Sequence, residues 1–184
     1  DMMLDSKEHL WAHSYWVKSG RAYPKNNIFW GRGNGWVICA FPMILDNIGL
    51  DHEKAPEIIE LFRKTSEALL GLINEDYTFN TLLRHKSYRE LSATALIAAG
   101  WLHGIREGYL DEKFLEPAIK AFEACVDAME ESESGIYMTE ISGPTIPMPF
   151  FPKLGYKLVP LGKNWSYGIA ALIFAAIEYK KLLG

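Results

Sequence analysis

Leu91-Ser92-Ala93-Thr94-Ala95-Leu96-Ile97-Ala98-Ala99-Gly100-Trp101-Leu102-His103-Gly104-Ile105 is the stretch that decides the fold. It is long enough for a helix, and its apolar residues fall on every face instead of one stripe. A helix of that kind is surrounded by protein. Its alanines and glycines let neighbouring helix backbones pack close. Residues 36–48 and 166–182 have the same character, the latter through Gly168, Ala170, Ala171, Ala175 and Ala176. Between these buried stretches lie two amphipathic ones, 55–72 and 112–130. In the first, Ile58, Ile59, Phe62, Leu69 and Leu70 form an apolar stripe, while Glu57, Glu60, Arg63, Lys64 and Glu67 face water. Asp111 is placed to cap the second. No stretch alternates apolar and polar residues for long enough to make a strand, so the whole chain reads as helix and loop.

The order is buried, amphipathic, buried, amphipathic, buried. Inner helices running parallel around an axis, with outer helices returning outside them, produce this alternation. The expected fold is therefore all-α, an α/α toroid, with residues 1–184 forming a single domain. Three inner helices are about half of an (α/α)6 barrel. An irregular helical bundle is the alternative. Pro42 falls inside the first buried helix, where it removes a backbone hydrogen bond. A proline-rich segment, 132–163, reads as a long loop, and such loops are commonly functional.

Composition narrows the function. The 184 residues are 49% hydrophobic and 23% charged, an ordinary globular balance. A net charge of −4 disfavours nucleic acid as a partner. No stretch approaches 18 uninterrupted apolar residues, so no membrane span is expected. No secretory leader is read, and a cytoplasmic location is the expectation. Cys39 and Cys125 sit in apolar helical stretches and read as buried free thiols.

The chemistry concentrates in Trp30-Gly31-Arg32-Gly33-Asn34-Gly35-Trp36. Glycine permits φ > 0 or a close approach. Indole faces stack on sugar rings or hold a cation. Arginine offers a planar fork of donors to a carboxylate or phosphate. A pocket for a ring-shaped anionic ligand and a plain connecting turn are both open readings. If the inner helices are parallel, residues 30–36, 84–92 and 163–168 become neighbours at one rim. Helix N-termini there add free N–H groups and positive potential. Lys86 and Arg89 read as solvated rim residues. His9 and His13 stand four apart, but no further ligand follows at metal-binding spacing, so no metal is expected. No cofactor motif appears. Glycosidases use two carboxylates; Glu90 comes first, with Asp5, Glu8 and Glu140 more distant, and no obvious pair emerges.

These residues carry a family resemblance. The run 29–36, Phe-Trp-Gly-Arg-Gly-Asn-Gly-Trp, resembles the signature of unsaturated rhamnogalacturonyl hydrolases, glycoside hydrolase family 105, and more distantly that of unsaturated glucuronyl hydrolases of family 88. Leu10-Trp11-Ala12-His13 is similar to the family's segment with a substrate-binding histidine. Residues 88–95, Tyr-Arg-Glu-Leu-Ser-Ala-Thr-Ala, and 167–172, Tyr-Gly-Ile-Ala-Ala-Leu, resemble two of its helix starts. The resemblance implies an (α/α)6 barrel that hydrates the C4–C5 double bond of an unsaturated uronic acid on an oligosaccharide. An aspartate is the acid and base, and the hemiketal formed breaks down. It implies that His13, Trp30, Arg32, Trp36, Glu90 and Tyr167 bind the acidic oligosaccharide, Arg32 nearest the carboxylate. The family's catalytic aspartates precede the histidine segment, and Asp1 and Asp5 do not match them. The chain therefore looks like the C-terminal half of the barrel, expected to self-associate or to pair with an N-terminal half. A non-catalytic carbohydrate-binding or scaffold domain is the alternative.

Overall fold

A computed structural model describes residues 2–148 and 150–184. Asp1 and Pro149, the latter in the proline-rich segment, lie outside the described residues. The elements run β1 (Leu4–Asp5), β2 (Leu10–Trp11), β3 (Ser14–Trp16), β4 (Arg21–Tyr23), α1 (Gly31–Ile48), α2 (Ala55–Leu70), α3 (Leu91–Arg106), α4 (Leu115–Asp127), β5 (Glu130–Ser132), β6 (Gly135–Tyr137), β7 (Ile141–Ser142), α5 (Pro152–Lys157), β8 (Leu161–Gly162) and α6 (Ser166–Leu182).

Helix α3 is the pillar. Every residue from Leu91 to Gly104 is buried. It packs against α1 and α6, and α4 lies against it as well. Two apolar clusters meet on it. One joins Phe41 of α1, Phe62 and Leu69 of α2, and Trp101 of α3 with Leu10, Phe79 and Phe114. The other joins Leu91, Ala95 and Ala98 of α3 to Cys125 of α4 and Ala171 and Ala175 of α6. Full burial of side chains such as Trp101 and Phe62 contributes several kcal/mol each, on the order of 3–5 for truncation to alanine. The outer helices bury one face only: Phe62, Thr65, Ser66 and Leu69 on α2, and Ala118, Ala121 and Cys125 on α4.

The inner helices are parallel. At one end Arg32 of α1, Glu90 before α3 and Tyr167 of α6 converge. At the other end His103 of α3 lies 2.9 Å from Asp46 of α1 and 4.0 Å from Glu178 of α6. The sides of α1 and α6 away from α3 carry exposed apolar groups, Met43 and Ile44 on the former and Ile173 and Ile177 on the latter. No helix among the described residues is long and apolar enough to cross a membrane. Both cysteines are buried free thiols, as expected.

Several expectations are corrected. The chain is not helix and loop alone: among the described residues eight strands form four two-stranded antiparallel ladders. Each is two or three residues long, too short for period-2 patterning to register. Helix α1 starts at Gly31, five residues before the expected boundary, so the glycine-rich run is helix. None of its glycines has positive φ. They serve close approach: a Cβ on Gly31 would stand 2.4 Å from the Asn80 carbonyl oxygen, and one on Gly35 2.9 Å from Leu96 Cβ. The proline-rich segment is not structureless. It contains β7, α5 and β8, with Tyr156 fully buried. Asp111 stands at the cap position of the 3-10 turn Glu112–Phe114 but makes no side-chain cap bond. His9 and His13 share no helix; they lie among β-ladders.

Candidate functional site

The N-terminal ends of α1, α3 and α6 are tied through Ser142 of β7. Glu90 is the N-cap of α3, its carboxylate accepting from Ala93 N at 2.7 Å and from Ser92 Oγ at 2.7 and 2.9 Å. It also accepts the Ser142 N–H at 3.0 Å. A carboxylate there satisfies otherwise free N–H groups and complements the helix dipole. Arg32, 3% exposed, donates to the Ser142 carbonyl at 2.7 Å and the Gly143 carbonyl at 2.9 Å. Weaker contacts reach Ser92 and Thr145, and Arg32 lies 3.6 Å from Glu90. Tyr167 donates to the Ser142 carbonyl at 2.7 Å, and Tyr88 to Ser142 Oγ at 3.1 Å. Asn34 pins the neighbouring ladder by accepting Trp11 N and donating to Trp11 O.

An aromatic and cationic stack rises from this network. Trp165 lies parallel to Tyr167 at 6.0 Å and 7°. The Arg32 guanidinium is 4.3 Å from the Tyr167 ring and 4.9 Å from the Trp30 ring. The His13 ring covers Trp30 at 4.1 Å and 28°. His13 Nδ1 is 2.6 Å from the Tyr156 hydroxyl. Burial, then the Arg32 charge, lowers the His13 pKa to about 4, so its imidazole is neutral near pH 7. Burial raises the Tyr167 and Tyr156 hydroxyls above their ordinary range. The stack presents partly exposed ring faces at both ends over a buried positive charge. Such an arrangement suits a flat or puckered ring bearing negative charge.

The structure gathers His13, Trp30, Arg32, Glu90 and Tyr167. Trp36 stands one turn beyond Arg32 on α1, 39% exposed, with no hydrogen bond or ring contact among the described residues. Arg32 spends its donors on main-chain carbonyls and hydroxyls, and Glu90 is fully buried. Both hold the site together from behind. The other carboxylates are committed elsewhere: Asp5 accepts Lys7 N and Glu8 N, Glu8 pairs with Arg84, and Glu140 with Arg89. Arg89 also pairs with Asp76. Sequence reasoning missed Ser142 and Tyr156. A main-chain carbonyl leaves no trace in residue type. Tyr156, a lone buried aromatic inside a proline-rich segment, left a faint one.

Parallel inner helices, amphipathic outer helices and a polar rim at the inner N-termini define an α/α-barrel fold. The chain belongs to Glycosyl Hydrolase Family 88, whose model matches residues 1–183. It is 35% identical over 155 residues to an unsaturated 3S-rhamnoglycuronyl hydrolase of Alteromonas sp. (strain LOR), covering 82% of this chain and 35% of that protein. It is 29% identical over 187 residues to an unsaturated rhamnogalacturonyl hydrolase of Bacillus subtilis (strain 168), covering 100% of this chain and 51% of the relative. The chain thus spans about half or less of these curated relatives. A possible member of family GH105 from Salmonella enterica superposes with a TM-score of 0.88 at 25% identity, over 100% of this chain and 47% of that one. The unsaturated glucuronyl hydrolase of Bacillus sp. GL1 shares the fold, with a TM-score of 0.65 at 19% identity, over 94% and 48%.

Proposed function

We propose that this chain supplies the substrate-binding rim of a glycoside hydrolase acting on oligosaccharides that end in an unsaturated uronic acid, of the rhamnogalacturonan-derived kind. The observation that carries the reading is the Trp165–Tyr167–Arg32–Trp30–His13 stack, with its buried cation and partly exposed rings. Family membership and the relatives' names support it.

In this reading the sugar ring lies against His13 and Trp30, with Trp36 and Tyr167 as further walls. Neutral His13 exchanges hydrogen bonds with sugar hydroxyls. Arg32, its charge balanced by Glu90 at 3.6 Å, holds the 142–145 segment through its donors. Glu90 keeps Arg32 and that segment in register. The reaction is hydration: a proton adds at C4, water adds at C5, and the hemiketal opens to release the remaining sugar. Glu90 does not move that proton, because both its oxygens are engaged by donors. An acid/base carboxylate outside this network does so. The exposed apolar sides of α1 and α6 serve as contact surfaces for further protein.

The test is incubation of the intact protein with an unsaturated galacturonyl disaccharide, followed by absorbance near the ultraviolet edge. Loss of absorbance, slowed at least tenfold by Trp30→Ala, is expected. Binding without absorbance loss would replace the hydrolase with a carbohydrate-binding scaffold. Neither binding nor turnover would overturn the site.

A further inference from the structure

At the opposite end of the inner helices, His103, Asp46 and Glu107 bring one imidazole nitrogen and two carboxylate oxygens within 4.8 Å of one another. Asp46 lies in the last turn of α1, and Glu107 follows α3 directly. Both helices therefore direct the negative ends of their dipoles at the cluster. His103 is 5% exposed, while Asp46 and Glu107 are open to solvent, so the cluster is anchored inside and reachable from outside.

The second observation concerns His103 Nε2. It is buried and makes no hydrogen bond, although Asp46 Oδ2 lies 2.9 Å away. At that distance the nitrogen and the oxygen are close enough to serve as neighbouring ligands. Two ligands of a common ion stand side by side in this way. Metal–ligand bonds of about 2.0–2.2 Å place adjacent donors roughly 3.0–3.4 Å apart. The other ring nitrogen, Nδ1, faces Glu178 Oε1 at 4.0 Å. At 4.0 Å this is too long for a hydrogen bond, so the carboxylate backs the ring only through its charge. Glu178 is itself fixed, by Arg106 at 2.9 Å and Lys181 at 2.8 Å.

The remaining charges leave room for a cation. Arg106 engages Glu107 Oε1 and Glu178 Oε2, leaving the second oxygen of Glu107 for a ligand. Three carboxylates against Arg106 and Lys181 leave a negative balance when His103 is neutral.

We propose that Asp46, His103 and Glu107 form a binding site for a divalent transition-metal ion such as Zn²⁺, which clamps the C-terminal ends of α1 and α3. One imidazole with two carboxylates suits borderline ions better than Mg²⁺ or Ca²⁺, which prefer all-oxygen sets. Lying at the end away from the sugar rim, the ion would be structural.

The experiment is calorimetric titration of the intact, chelator-treated protein with zinc chloride, with Co²⁺ absorption as an optical readout. One ion per chain is expected. Asp46→Asn and Glu107→Gln, at exposed positions that leave the fold in place, should each weaken binding at least roughly tenfold, since loss of a ligand costs no less than loss of one of its supporting partners. His52→Gln, on an exposed histidine elsewhere, should leave it unchanged. Zinc should raise the melting temperature of the parent protein and not that of Asp46→Asn. Absence of zinc binding, or equal affinity in the parent, Asp46→Asn and Glu107→Gln proteins, would overturn the proposal.

Discussion

Arg32 and Glu90 lie 3.6 Å apart, both buried, and both fasten on Ser142: Arg32 donates to its carbonyl and Glu90 accepts from its N–H. The pair thereby locks β7 onto the starts of α1 and α3. Removing one member leaves the other as an uncompensated buried charge, which costs about 3–5 kcal/mol. Arg32→Ala should therefore lower unfolding stability by about that amount. Arg89→Ala should lower it by less than about 1 kcal/mol, because its pairs with Asp76 and Glu140 are partly exposed. Urea unfolding of both variants distinguishes them; equal losses would mean that the Arg32 network is not rigid.

Gly35 is a packing glycine, so alanine there should destabilise. A Cβ would meet Leu96 Cβ at 2.9 Å and the Ala93 carbonyl oxygen at 3.2 Å. Overpacking of this kind costs about 1–3 kcal/mol, against a helix-propensity gain of at most about 1 kcal/mol. Gly71→Ala is the control, since its nearest contact is 3.7 Å. The expected result is a lower urea midpoint for Gly35→Ala and an unchanged or higher one for Gly71→Ala.

The unequal legibility of the chain has physical causes. Helix α3 was readable because every face is apolar, and α2 because its stripe repeats with the helical period. The start of α1 was not, since glycines count against a helix until Asn80 and Leu96 are known to press on them. The convergence of Arg32, Glu90 and Tyr167 followed from parallel inner helices. Their inward commitment did not, because the partner is a main-chain carbonyl. The cluster of Asp46, His103 and Glu107 joins two helices and has no sequence motif.

Trp30 and Trp36 should separate under mutation. Trp30 stacks on His13 at 4.1 Å and lies 4.9 Å from the Arg32 guanidinium, so Trp30→Ala should lower both stability and affinity for an unsaturated uronide. Trp36 is 39% exposed and outside the network, so Trp36→Ala should leave stability within about 0.5 kcal/mol of the parent. If it forms a wall of the sugar site, affinity should fall several-fold all the same. Isothermal titration beside thermal unfolding reads both quantities. An unchanged affinity would remove Trp36 from the site.

His13 should give the protein a defined pH dependence. Burial and the Arg32 charge hold its pKa at about 4, against 6.5 for an unperturbed imidazole. Between those values the unfolded chain binds a proton that the folded chain does not. The slope of unfolding free energy with pH is positive wherever the unfolded state holds more protons. Stability should therefore rise from about pH 4 to 6.5 through this group, and fall on acidification across the same window. Above it both states are neutral and the contribution is constant. His13→Gln should flatten that part of the profile while leaving the carboxylate-driven part at lower pH. Urea unfolding at a series of pH values, with the parent and variant curves subtracted, isolates the difference. An NMR titration of the His13 ring proton provides the independent check, and a midpoint near 6.5 would show that neither burial nor Arg32 controls this imidazole.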